Sequence, residues 1–154
     1  MSAGAGVNDT MVRFGYPKAL VAEYERWVVM LREQQVTLGA LVLICREPAT
    51  AFSRISAAAF GELATATRSI ETALARAFAY EKINYLMLMM VDPHVHFHVV
   101  PRYGGVREFA GVSFADPGWP RVPDLSHAVG LAGPVRARLL TLMREKWPDR
   151  RAIR

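Results

Sequence analysis

The stretch Pro93-His94-Val95-His96-Phe97-His98-Val99-Val100-Pro101-Arg102 decides how this chain folds and where its chemistry lies. Side chains of a β-strand point alternately to its two faces. Here every second residue is a histidine, and the residues between are Val95, Phe97 and Val99. The pattern predicts a strand that buries apolar side chains on one face and presents a row of imidazoles on the other. Three of the chain's four histidines lie in this row, which indicates a functional site.

The composition is that of one globular domain. The chain has 154 residues, of which 52% are hydrophobic and 21% charged. Its most apolar stretch, Tyr85 to Val91, is too short to span a bilayer, and the first residues have neither the basic start nor the apolar core of a secretory signal. The single cysteine, Cys45, cannot form an internal disulfide. We therefore expect a cytoplasmic protein with no membrane partner.

The net charge of +5 favours an anionic ligand such as a phosphate group. Arginine is preferred over lysine, and part of the excess is a basic tail that could equally serve only solubility: Arg144, Lys146, Arg150, Arg151 and Arg154. Nucleic acid is not an expected partner, because no aromatic residues alternate with the basic ones to stack on bases.

The first half of the chain predicts strands followed by one long helix. Residues 1–15 are expected to be flexible. Strands are predicted at 20–23 and 27–31, and Gly39 leads a third apolar run, Ala40 to Cys45. The helix is predicted from Ala57 to Tyr80 with Ser56 as its N-cap. Its apolar stripe, typical of a core-facing helix, consists of Phe60, Leu63, Thr67, Ile70, Leu74 and Phe78.

The second half predicts a hairpin and then an extension. Strands Ile83 to Val91 and Val95 to Val100 are separated only by Asp92-Pro93-His94, which favours a tight antiparallel connection. Glycine and proline then mark a long irregular segment, and a helix is predicted from Pro134 to Trp147. We expect residues 16–103 to form the domain and residues 104–154 to pack on it as a C-terminal extension.

The histidine row suits a nucleophile better than a metal ion. Along a straight strand His94 and His98 would lie about 13 Å apart at Cα. Zinc–nitrogen bonds are only about 2.0–2.1 Å long, so the three side chains cannot easily converge on one ion, and no metal site is predicted. An imidazole nitrogen can instead attack phosphorus and form a covalent intermediate that water later cleaves.

The segment His-Val-His-Phe-His-Val-Val resembles the His-φ-His-φ-His-φ-φ signature (φ, apolar) of the histidine triad (HIT) superfamily of nucleotide-binding proteins. The order of the preceding elements is similar too. The resemblance implies an α+β fold, in which an antiparallel sheet of about five strands packs against one long helix. It also implies hydrolysis or transfer of nucleoside monophosphate groups. His96 would be the nucleophile, and His94 and His98 would bind and orient the phosphate.

The chain departs from the family pattern in its phosphate-binding surroundings. A glycine-rich loop usually precedes the first histidine, whereas here only Asp92-Pro93 separates the predicted strand from His94. The histidine that follows the leading glycine in many members is Ala40, and the ribose-binding Asn or Asp falls near Arg32. Arg102 and Arg32 are the predicted substrate-binding residues, because arginine suits bidentate phosphate contact. Arg107 is a further candidate.

These observations favour a HIT-type hydrolase or transferase acting at the α-phosphate of a purine nucleotide conjugate, such as a dinucleoside polyphosphate or a nucleoside phosphoramidate. The alternative is a non-catalytic or weakly catalytic nucleotide-binding protein, motivated by the absent loop. No cofactor is expected, although a divalent cation could accompany the substrate. A homodimer is predicted from the apolar stretch Leu86 to Val91, from the small residues Ala73 and Ala77, and from the family habit.

Overall fold

A computed structural model describes residues 6–153 of the chain. In chain order its helices are α1 (Asp9–Arg13), α2 (Ala57–Phe78) and α3 (Gly133–Lys146), with short 3-10 turns at Phe52–Arg54 and Arg150–Ala152. Its strands are β1 (Leu20–Glu23), β2 (Trp27–Leu31), β3 (Gln34–Gln35), β4 (Leu41–Cys45), β5 (Lys82–Leu86), β6 (His96–Arg102), β7 (Arg107–Phe109), β8 (Val112–Phe114) and β9 (Val129–Gly130).

Five strands form one antiparallel sheet in the order β1-β2-β4-β6-β5, which confirms the predicted α+β architecture. Strands β1 and β2 have the predicted bounds. The histidine strand β6 lies inside the sheet, between β4 and the edge strand β5. Its register places His96 opposite Ile44 and His98 opposite Val42.

Helix α2 covers one face of this sheet and builds the main core. The side chain of Ser56 caps its first turn, as predicted, by accepting from the Ala59 N–H. Ile70 and Leu74 are buried in the core, whereas Phe60 at the start of the predicted stripe is exposed. Gly39 has φ +90°, and a Cβ there would lie 2.9 Å from a Leu74 methyl group. Glycine is therefore what lets the chain pass close beneath the helix.

The connection before β6 is a loop and not the predicted tight turn. Strand β5 ends at Leu86, and residues 87–95 have no regular structure, with Met89 at a left-handed φ of 50°. The apolar run does not continue the strand. Met87 and Met89 still pack against the main core, whereas Leu88, Met90 and Val91 are exposed.

Within residues 1–15, for which we predicted flexibility, residues 9–13 form the helix α1; residues 1–5 lie outside the described part of the chain. The side chain of Asn8 caps this short helix by accepting from the Met11 N–H. Met11 is fully buried against the face of the sheet opposite α2, in a second and smaller core. Its other buried members are Leu20, Val28, Met30, Val42 and Ile44.

The C-terminal extension contributes to the main core. Helix α3 matches the predicted helix closely and buries Leu139 and Met143, and Trp147 follows it into the same cluster. The segment expected to be irregular holds the β7–β8 hairpin and β9, which pairs with β3. Within residues 6–153, no helix is long and apolar enough to cross a membrane.

Candidate active site

The three histidines do not share one strand. His96 and His98 lie in β6, on the face that carries the smaller core, whereas His94 lies in the loop before the strand. The prediction of three histidines on one strand face is therefore wrong for His94. His94 still belongs to the cluster, because its main-chain carbonyl lies 2.7 Å from Nδ1 of His96.

This contact decides which nitrogen of His96 can react. A carbonyl oxygen only accepts hydrogen bonds, so Nδ1 of His96 must carry the hydrogen and donate it. In the neutral ring Nε2 then holds the lone pair, which is what a nucleophile needs. The imidazole is only 2% exposed, so its orientation is closely held.

His98 is held neutral by its surroundings. Burial lowers its pKa to about 4, and the positive charge of Arg32 and the neighbouring His96 add to the effect. Arg32 Nη1 lies 3.3 Å from Nδ1 of His98. A guanidinium can only donate, so Nδ1 accepts and Nε2 carries the hydrogen. His98 can thus offer an N–H to a substrate oxygen, while His96 offers a lone pair.

The N-terminal helix covers these rings. Thr10 Oγ1 lies 3.0 Å from Nδ1 of His94. The Phe14 ring lies 5.9 Å from the rings of both His96 and His98, centroid to centroid. Sequence analysis missed Thr10 and Phe14, because five helical residues are too few to show a helical period. The only local signal was Asn8, a good N-cap residue.

Two cavities flank α1. One of about 500 Å³ lies on the side of His98 and includes Phe14, Tyr16 and Arg32 in its lining. The other, of about 300 Å³, lies on the side of His94 and is lined by residues such as Thr10 and Pro93. The larger cavity has the size of a small-molecule site. Because Arg32 also contacts His98, this cavity adjoins the histidine cluster.

The structure separates the two predicted substrate-binding arginines. Arg32 contacts His98 in the histidine cluster, whereas Arg102 is only 4% exposed and makes its hydrogen bonds within the fold. Its guanidinium donates to both carboxylate oxygens of Asp116, at 2.7 and 3.1 Å, and to the Asn84 side-chain oxygen. Arg107 likewise donates to the carbonyls of Phe78 and Ala79 at the end of α2. Arg102 and Arg107 are therefore structural.

Among residues 6–153, no group of three or more His, Cys, Asp or Glu side chains could hold a metal ion. Cys45 is buried in the main core, and burial raises the pKa of its thiol to about 11, so it is not a nucleophile.

The histidine cluster lies within a segment of the chain that matches a known protein family. Residues 13–105 match the HIT domain, which is more than half of the chain. The chain belongs to the HIT family. A histidine triad protein from Sinorhizobium meliloti has the same fold, with a TM-score of 0.71 at 18% identity over 92% of this chain and 96% of that one. A histidine triad protein from Bradyrhizobium japonicum also has this fold, with a TM-score of 0.69 at 17% identity over 94% of this chain and 98% of that one.

A hypothetical histidine triad nucleotide-binding protein from Sulfolobus tokodaii has the same fold as well, with a TM-score of 0.65 at 17% identity over 89% of this HIT protein and 88% of that chain. At such identities the likeness shows the fold alone. No curated protein matches the chain.

Family membership also changes how the segment before the triad is understood. Sequence analysis predicted that the usual loop is missing here. This HIT protein does have a loop, residues 87–95, but it contains no glycine. What differs from the family pattern is therefore the composition of the loop.

Proposed function

We propose that this HIT protein is a nucleotidyl hydrolase or transferase that acts at the α-phosphate of a purine nucleotide conjugate, such as a dinucleoside polyphosphate or a nucleoside phosphoramidate. The observation that carries the proposal is the hydrogen bond from Nδ1 of His96 to the His94 carbonyl, which leaves the Nε2 lone pair of His96 free to attack.

In this mechanism Nε2 of His96 attacks the α-phosphorus, and the bond from phosphorus to the leaving group breaks. The ring becomes an imidazolium, whose Nδ1–H strengthens its bond to the His94 carbonyl. Water, or an acceptor alcohol or amine, then attacks the same phosphorus and releases His96. Nε2–H of His98 donates to a phosphate oxygen, and the His94 side chain helps to orient the phosphate.

The larger cavity would hold the nucleoside. Its lining offers Phe14 and Tyr16 as aromatic surfaces for a purine, and Arg32 as a substrate-binding cation next to His98. Phe14 has to shift to admit the phosphate, since it covers the ring of His96. No protein-held cofactor is needed for these steps, and a divalent cation could arrive with the substrate.

A second candidate function is nucleotide binding with little or no turnover. It is favoured by the coverage of His96 and by the loop without glycine, whose main chain would otherwise supply donors to the phosphate. Losing one preorganised donor typically costs about 10²–10³ in rate.

Turnover of adenosine 5′-phosphoramidate and diadenosine tetraphosphate by the wild type, His96→Ala and His127→Ala would decide between the two. His127, the fourth histidine, lies outside the triad and is the matched control. Turnover by the wild type and His127→Ala, but not by His96→Ala, is the expected result. If nothing is turned over and calorimetry still shows adenosine monophosphate binding, the second candidate is correct. Turnover unchanged in His96→Ala would overturn the nucleophile.

We also propose that the protein is a homodimer joined at the β5 edge of the sheet and the adjoining loop. Met90 is 87% exposed, and Leu88 and Val91 beside it are exposed too. Ala73, which the sequence suggested for this interface, is instead buried in the chain's own core. Light scattering at micromolar concentration should give twice the chain mass, and Met90→Asp should shift it toward the monomer. A monomeric wild type would contradict this proposal.

A cytoplasmic location is proposed from the single, buried cysteine, since the chain needs no oxidising compartment. Fractionation of the native host with an antibody against the protein would test it, and recovery from an exported fraction would overturn it.

A further inference from the structure

The cavity beside His98 carries more positive charge than its own acids neutralise. Four basic side chains line it, namely Arg13, Lys18, Arg32 and Arg136, together with one acid, Glu33. Arg136 pairs with Glu33 at 2.8 Å, and Arg13 pairs with Asp92 at 3.1 Å. Within residues 6–153, Arg32 and Lys18 have no carboxylate partner. Two cations therefore face this space unpaired.

Arg32 is held in place for binding. Its main-chain N–H donates to the Ala40 carbonyl at 3.1 Å, and its own carbonyl accepts from the Gln35 side chain at 2.7 Å. One nitrogen of its guanidinium, Nη1, donates a hydrogen bond to Nδ1 of His98. The other two nitrogens, Nε and Nη2, have no acceptor among the described residues. A half-buried guanidinium with unused donors is suited to an oxyanion, which it can bind in a bidentate manner.

The position of Arg32 separates it from the reacting phosphate. It meets His98 at Nδ1, whereas Nε2 of His98 is the nitrogen that would donate to the transferred phosphate. The His98 ring therefore lies between the two. Because Arg32 lines the cavity assigned to the nucleoside, its free donors would meet the nucleoside and not the transferred phosphate.

We propose, on the basis of the function proposed above, that this site selects nucleotides carrying a second phosphate on the ribose, at the 2′ or 3′ oxygen, and that Arg32 binds that phosphate. The ribose phosphomonoester would replace the water around Arg32 and would supply the acid partner that the cavity lacks. Lys18, at the rim of the same cavity, adds to the attraction from a more exposed position.

Calorimetry at about 0.15 M salt would test this with four ligands: adenosine 5′-monophosphate, adenosine 5′-diphosphate, and the 2′,5′- and 3′,5′-bisphosphates of adenosine. At least one bisphosphate should bind about tenfold or more tightly than the monophosphate, as a charge-assisted bidentate contact would give. The diphosphate adds a phosphate, and with it charge, on the 5′ side of the nucleotide and should not show this gain. The bisphosphate that binds more tightly shows whether the recognised phosphate is at the 2′ or the 3′ oxygen.

Arg32→Gln should reduce the preference for the bisphosphate over the monophosphate to less than about threefold. Arg54→Gln, an exposed arginine outside this cavity, is the matched control and should keep the preference. If Arg32→Gln does not fold, Arg32→Lys retains the cation, loses the bidentate geometry and should show a weakened preference.

A wild type that binds the monophosphate as tightly as both bisphosphates overturns this inference and leaves the proposed function standing. So does a preference that survives in Arg32→Gln. If no adenine nucleotide binds at millimolar concentration, the proposed function itself fails.

Discussion

The two faces of the central sheet are built differently, although they share the same strands. The face toward α2 carries Phe97 and Val99 of β6 and belongs to a core that α3 and the C-terminal extension also enter. The opposite face carries His96 and His98, and its small core is completed by α1, a helix of five residues. One face is thus closed by long elements and the other by a short segment that also covers the candidate nucleophile. Stability and chemistry are separated by the alternation of a single strand.

His96 and Phe97 are neighbours on opposite faces, so exchanging each for alanine tests this separation most directly. We expect His96→Ala to lower turnover by about 10⁴-fold or more, because the nucleophile is lost. Phe97→Ala should cost about 2 kcal/mol of stability, because its ring contacts those of Trp27, Phe52 and Tyr85.

Phe97→Ala should keep its turnover in the folded protein. Single-turnover kinetics and urea unfolding of both variants measure the two effects. If both variants lost turnover equally, the two faces would not be independent.

Val28 and Val29 provide a matched pair for the two cores. Both are fully buried in β2, Val28 in the smaller core and Val29 in the main one. We expect Val29→Ala to cost about 2 kcal/mol and Val28→Ala about 1 kcal/mol, because the short α1 can settle onto a smaller side chain and long packed helices cannot. Urea unfolding measures the difference, and an equal or reversed cost would mean that α1 is as rigid as α2.

The same contrast explains what the sequence could predict. Strands β1, β2 and β4 are short apolar runs that are buried almost throughout, and helix α2 buries side chains at helical intervals, so the pattern of each element is visible locally. The run Met87 to Val91 is as apolar as a strand, but it forms one only if another strand pairs with it. In the structure Met87 and Met89 pack against the main core, whereas Leu88, Met90 and Val91 are exposed. Local composition cannot show this.

The candidate site was predictable where it follows strand alternation and not where it depends on contacts between distant segments. The alternation of side chains along a strand was enough to predict that His96 and His98 lie on the same face of the sheet. Arg102 was misassigned because its partner Asp116 lies in the extension, and Thr10 meets His94 across 84 positions of the chain. Such pairings follow from tertiary packing, for which the sequence carries no local signal.

Phe14→Ala would test whether α1 shields the histidine face. The Phe14 ring lies against His98, and burial is the main reason that the pKa of His98 is lowered to about 4. Removing the ring should admit water and raise the pKa of His98 toward its ordinary value near 6.5. Titration followed by NMR of the histidine ring protons measures it. His127→Ala, as the control, should leave the pKa of His98 unchanged. A value that stays near 4 in Phe14→Ala would assign the shielding to the sheet alone.

The histidine face should also contribute to the pH dependence of stability, through His98. His98 titrates near pH 6.5 in the unfolded chain and near pH 4 in the folded one. Between these values the unfolded chain binds a proton that the folded protein does not, so the free energy of unfolding falls as the pH drops from about 6.5 to about 4. His98→Asn cannot titrate, and its stability should fall less steeply across this window. His127→Asn retains His98 and should therefore retain the part of the slope that His98 causes. Urea unfolding at intervals of half a pH unit measures the slopes of all three proteins. Identical slopes in the wild type and His98→Asn would mean that His98 takes up its proton equally well folded and unfolded, and that α1 and Arg32 do not hold this ring neutral.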